Sequence, residues 1–161
     1  MLTRIITPLA ITCTLAATAL AADSPHDVIN RWTGSWTGGV AGADVHIASA
    51  PNQMESAWTL DNHFIQGTNS AAGKPVGVWL MRYNDKSSKY EVYFFAADGT
   101  AGKWTGTWSD ADNTMNWSGD DVGGAKLTGW TKIAGDKQEW KLEFNDNGKV
   151  RTETGSLTRK K

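Results

Sequence analysis

The chain has 161 residues, a formal charge of −1 at pH 7, and nine tryptophans against a single cysteine. Near-neutral charge with no basic block excludes a nucleic acid or an anionic membrane held by electrostatic attraction, and the closing Arg159-Lys160-Lys161 reads as a solvated tail. The length suits one domain whose core has to hold without a disulfide.

Met1-Leu2-Thr3-Arg4, an apolar run through Leu20 and the closing Ala19-Leu20-Ala21 spell a secretory signal peptide over residues 1–21, cut after Ala21. The run is broken by Pro8 and is shorter than the ~20 residues a spanning helix needs, so no membrane span is expected once it is cut. Cys13 lacks the neighbours of a lipidation site and leaves with the leader. What remains, 22–161, is expected to be one exported domain, periplasmic or secreted.

Ser24-Pro25-His26-Asp27 then predicts a capped short helix, with proline at its first position and an acid in its first turn. From Thr33 onward the hydrophobic period is two. Strands are expected near 33–40, 43–49, 53–60, 63–69, 75–83, 89–96, 102–109, 113–118, 124–133, 140–144 and 149–158, separated by turn spellings such as Ala72-Gly73, Asp98-Gly99 and Asn145-Asp146-Asn147-Gly148. Short connections make sequential strands antiparallel neighbours. A meander this long leaves two exposed edges unless it closes, so the expected architecture is all-β: a closed antiparallel up-and-down barrel of about eight to ten strands behind a short N-terminal helix.

Within this pattern Trp32-Thr33-Gly34-Ser35-Trp36 recurs as Trp104-Thr105-Gly106-Thr107-Trp108. In a strand, alternation puts Trp, Gly and Trp on one face and the hydroxyls on the other, and the glycine leaves a gap that a neighbouring strand, a core side chain or a ligand can fill. Trp140, Leu142 and Phe144 likewise share a face opposite Lys141 and Glu143. Trp130 lies with Lys126, Thr128 and Lys132, opposite Leu127 and Ile133, and is expected to face outward.

The run Gly34-Ser35-Trp36-Thr37-Gly38, the later Met54-Glu55-Ser56 with Trp58-Thr59-Leu60-Asp61-Asn62-His63-Phe64-Ile65, and Pro75-Val76-Gly77 resemble the lipocalin-like, calycin-type barrels. So do Tyr83-Asn84-Asp85 with Lys89-Tyr90, Gly106-Thr107-Trp108-Ser109-Asp110 and the closing Leu157-Thr158-Arg159-Lys160. More narrowly, the chain is similar to a bacterial family of exported domains of unknown function, whose pattern carries Gly-Arg where this chain has Asn62-His63. The resemblance implies a closed barrel with an internal cavity. It implies no reaction and transfers no catalytic residue.

The candidate interior of the barrel is therefore Trp36, Trp58, His63, Trp79, Tyr90, Trp104, Trp108, Trp117 and Trp140, with Leu142 and Phe144 beside them and Trp32 at the entrance. Indoles supply apolar area and one donor each, which suits a small apolar or amphipathic ligand and equally suits a packed core. No cofactor or metal is expected. His26, His46 and His63 have no paired-ligand spacing, related haem-binding barrels carry a histidine on a late strand where this chain has none, and Asp110-x-Asp112 lacks the glycine and glutamate of a calcium loop. The serines have no nucleophile elbow. Two other readings stay open: a surface module for carbohydrate or protein, which requires exposed indoles, and a small hydrolase or isomerase using His63 or a carboxylate inside the barrel.

Overall fold

A computed structural model describes residues 22–41, 52–121 and 123–161. The leader expected at 1–21, the strand expected at 43–49 and His46 lie outside the described residues. Among the described residues no helix is long and apolar enough to cross a membrane.

The one helix among the described residues, α1 (Pro25–Asn30), starts as its sequence predicts. Ser24 is the N-cap, its Oγ accepting from the Asp27 amide at 3.2 Å, and Pro25 occupies a position whose missing N–H costs nothing. Ten strands follow: β1 (Gly34–Ala41), β2 (Gln53–Thr59), β3 (Phe64–Ala71), β4 (Lys74–Asn84) and β5 (Lys89–Ala96), then β6 (Ala101–Ser109), β7 (Thr114–Asp120), β8 (Lys126–Ala134), β9 (Lys137–Asp146) and β10 (Lys149–Arg159). Every strand pairs antiparallel with its chain neighbours, and β1 closes the sheet against β10, Trp36 facing Arg159. Asn147 and Gly148 both take positive φ, the two-residue turn that β9 and β10 need to pair Asp146 with Lys149.

Burial alternates along the strands as a closed barrel requires. On β9, Gln138, Trp140, Leu142 and Phe144 are buried while their neighbours are not, and on β8 Leu127, Thr131 and Ile133 turn inward while Trp130 faces out at 37% exposure. Trp104, Gly106 and Trp108 share the inner face of β6, with the threonines between them facing out.

The gap left by the glycine is filled from across the sheet. Gly106 stands opposite Trp117, and a Cβ on Gly106 would come within 2.6 Å of that indole and of the Met115 sulfur. The same pairing recurs twice: Trp79 lies over its partner Gly67, and Trp140 over its partner Gly155, each close enough to overlap any Cβ placed there. An inward indole normally projects toward the barrel axis. Here three lie along the wall, because the residue beneath each has no side chain.

At the start of β1 a different contact uses glycine. Gly34 has φ of +109°, and the Arg159 guanidinium crosses where its side chain would stand. That guanidinium stacks on the Trp36 ring, 4.1 Å from its centroid, and donates to the carbonyl oxygens of Thr33 and of Arg31, the latter at 3.1 Å. The last strand thereby ties down the segment linking α1 to the first.

Replacing Gly155 by alanine is expected to destabilise the fold by about 1–3 kcal/mol through overpacking against Trp140. Gly39→Ala, where nothing stands within 4 Å of an added Cβ, should be neutral or slightly stabilising. Urea unfolding of the two variants side by side measures the difference.

Candidate functional site

α1 shuts one end of the barrel. Val28 and Ile29 are buried in the common core, and Asn30 accepts a hydrogen bond from Trp58 Nε1 at 3.0 Å. Arg31 stacks on Trp108 and binds Asn113 at 2.9 Å. Trp32, just past the helix, packs edge-on against Trp108 and Trp117 at 6.1 and 6.3 Å and forms the floor of the space above.

That space is an internal cavity of about 90 Å³. Trp79, Trp117 and Trp140 wall it with the faces turned away from their glycines, and Phe94 and Trp104, parallel within 9° at 6.2 Å, continue the aromatic surface. Met54, Met81, Val92, Leu142 and Leu157 complete the apolar lining. Among the described residues only Asn69, Thr131 and Gln138 add polar side chains to it. The volume is well below the ~300–1,000 Å³ of sites that swallow a whole drug-sized molecule. It takes a very small molecule or one end of a larger one.

Two polar residues of the lining are already spent on the wall. Trp79 Nε1 donates to Asn69 Oδ1 at 3.1 Å, and Trp117 Nε1 donates to Thr131 Oγ1 at 2.9 Å. These bonds hold the indoles flat. Three other buried polar atoms on cavity-lining side chains have no protein partner: Trp104 Nε1, Trp140 Nε1 and Gln138 Oε1. Each costs about 1–3 kcal/mol if it stays dry, a heavy load against an ordinary total stability of ~5–15 kcal/mol, so the site demands a hydrogen-bonding occupant.

Of the side chains expected inside, Trp79, Trp104, Trp117, Trp140 and Leu142 line the cavity. His63 is a correction: it is exposed in the turn between β2 and β3, one residue before the strand resumes. Trp58 is half-buried and stacks on His26 at 4.1 Å and 5°, outside the cavity lining. Trp36 is fully buried but sealed beneath Arg159, and Trp108 is turned to Arg31 and donates to Asp110 Oδ1 at 2.8 Å. Tyr90 is buried against Tyr83, its ring 5.0 Å away; burial, then the nearby Tyr83 and acidic groups, pushes its hydroxyl up to about 12. Phe144 is buried under the Arg151 guanidinium, 4.3 Å from its ring, again away from the cavity. Trp36, Trp58, Tyr90 and Trp108 sit at the α1 end of their strands. Alternation gives the face of a residue, and only register gives its height.

The sequence reading passed over Gln138, Asn69 and Thr131. Gln138 is the one a sequence signal could have found, because it shares the face of Trp140 and Leu142 two residues earlier on the strand. Asn69 and Thr131 become interpretable only once Trp79 and Trp117 are seen beside them.

No protein-family model matches the chain, and no curated protein does. Solved structures do match: the crystal structure of Rv2717c from M. tuberculosis superposes with a TM-score of 0.58 at 17% identity, over 86% of this chain and 99% of that one. At that identity the likeness is one of fold.

Charge is kept off the cavity wall. Toward the end away from α1, Arg151 pairs with Glu153 at 3.3 Å and Asp121 at 3.6 Å, all on the inside of the barrel or its rim. On the outer surface Glu91 is buried beneath Arg82, Asn84, Tyr93 and Lys103, which all bond its carboxylate. Burial raises the Glu91 pKa, and the four donors more than offset it, bringing the group down to about 2. An unfolded glutamate titrates near ~4.3, so the cluster's contribution is complete above that value and is lost as pH falls through 2. Acid titration of stability should therefore fall in that interval. Glu91→Gln is expected to be less stable at neutral pH and to show a shallower loss there, measured as urea midpoints across the acid range.

Proposed function

We propose that this protein is an exported, lipocalin-like carrier or sensor that binds a small amphipathic molecule noncovalently inside its barrel. The observation that carries the reading is the set of buried, unpartnered polar atoms on the side chains of a mostly aromatic cavity. A core evolved only to pack has no use for indole N–H groups left without an acceptor. The closed meander and its terminal helix support the lipocalin-like reading, and the leader in the sequence supports export to the periplasm or beyond.

Binding here is burial of apolar ligand surface against indole faces, with a few polar groups fixing orientation. The two other readings find less support. A surface module needs several exposed indoles, and of the nine tryptophans only Trp130 is among the exposed large apolar residues, surrounded by Lys126, Thr128 and Lys132. A hydrolase or isomerase needs an acid or base at the cavity, and among the described residues its lining carries no ionisable side chain.

Native mass spectrometry of the gently purified protein is expected to show a bound mass that is released on denaturation. Val92→Phe, which thrusts a ring into the cavity at about 1–3 kcal/mol of overpacking, should abolish that mass while leaving a folded barrel by circular dichroism. A bare wild-type mass, together with no small-molecule binding in solution, would overturn the reading.

A further inference from the structure

Resting on the binding function proposed above, we infer that the cavity selects a neutral, flat group carrying a hydrogen-bond acceptor beside a donor, of the carboxamide or lactam kind, held by Trp140 and Gln138. Gln138 and Trp140 are 7% and 5% exposed, and they stand two residues apart on the inner face of β9. Both line the cavity, and neither the Trp140 Nε1–H nor the Gln138 Oε1 has a protein partner. One offers a donor and the other an acceptor. A group that accepts from the indole and donates to the amide oxygen satisfies both at once, and a planar amide does this with an oxygen and a nitrogen on one carbon. Trp104 Nε1, also unpartnered, offers a second donor to the same acceptor class.

The demand for neutrality follows from what the lining lacks. Among the described residues no side chain of the cavity wall is charged, so an anion or cation placed there would lose its hydration without gaining a counter-charge. The interior charges that do exist are engaged elsewhere: Arg151 with Glu153 and Asp121, and Arg159 with Asp136, the Trp36 ring and two carbonyl oxygens. The demand for flatness follows from the glycine positions. Trp79, Trp117 and Trp140 are laid over Gly67, Gly106 and Gly155 and, with the parallel rings of Phe94 and Trp104, make a mostly aromatic lining, which a flat guest covers better than a branched one.

The test is isothermal titration of the protein with four probes of one size: benzamide, acetophenone, isopropylbenzene and benzoate. Benzamide has acceptor and donor, acetophenone the acceptor alone, isopropylbenzene neither, and benzoate a charge. The expected order is benzamide, then acetophenone, then isopropylbenzene, with steps of about tenfold in affinity, and no measurable benzoate binding. Trp140→Phe removes the N–H together with the five-membered ring; benzamide and acetophenone should each lose about tenfold more affinity than isopropylbenzene does. Gln138→Leu should erase the advantage of benzamide over acetophenone. Equal binding of isopropylbenzene and benzamide would refute the amide inference while leaving a ligand-binding barrel intact. Equal losses for all probes in Trp140→Phe would refute it in the same way. Failure of every probe, alongside a bare native mass, would remove the binding function itself.

Discussion

The cross-strand pairing of glycine with tryptophan is the constraint on which the interior of this barrel depends. Ten short strands enclose a narrow space, and filling it with the large side chains of Trp79, Trp117 and Trp140 would ordinarily leave nothing over. Each of the three instead faces a glycine on the neighbouring strand, at Gly67, Gly106 and Gly155. The indole then folds back onto bare backbone and still buries apolar surface worth on the order of 4 kcal/mol before entropic losses. Stability and hollowness come from the same contact. Asn69 and Thr131 complete it by taking two of the three indole N–H groups.

The third N–H, on Trp140, is the exception. Nothing in the wall accepts from it, and nothing donates to Gln138 Oε1 beside it. The two wall indoles with partners and the one without differ only in whether a small polar residue reaches them. Under the binding function we propose, that difference separates scaffold from recognition surface inside one aromatic lining. At the floor, the tie from Arg159 to Trp36 and to the carbonyl oxygens of Arg31 and Thr33 fixes the helix segment that carries Trp32, so the cavity has a rigid base.

Much of this was legible in the amino-acid sequence, and the part that was not has a single physical cause. Period-two alternation and turn chemistry gave strands close to their observed limits, the helix cap at Ser24, the outward Trp130 and the shared inner face of Trp104, Gly106 and Trp108. Closure followed from the edges a meander cannot leave bare. Alternation, however, says nothing about which residue of the next strand stands opposite, nor how far along the barrel axis a side chain lies. Hence Trp36, Trp58, Tyr90 and Trp108 carried the right residue type but sit beside α1, and His63, two residues from Ile65 on an inward strand, belongs to the turn. The glycine spelled between Trp104 and Trp108 announced a gap. That Trp117 fills it, and that Gly67 and Gly155 play the same part for Trp79 and Trp140, is information held by register alone.

A crystal structure of the protein under xenon pressure tests this arrangement most directly, since an apolar cavity of this kind takes up the gas without a chemical ligand. Flat indoles over Gly67, Gly106 and Gly155, with a xenon site among Trp79, Trp117 and Trp140 or a bound molecule already occupying it, is the result the account predicts. Indoles turned to the barrel axis and meeting there, with neither gas nor ligand between them, would contradict it.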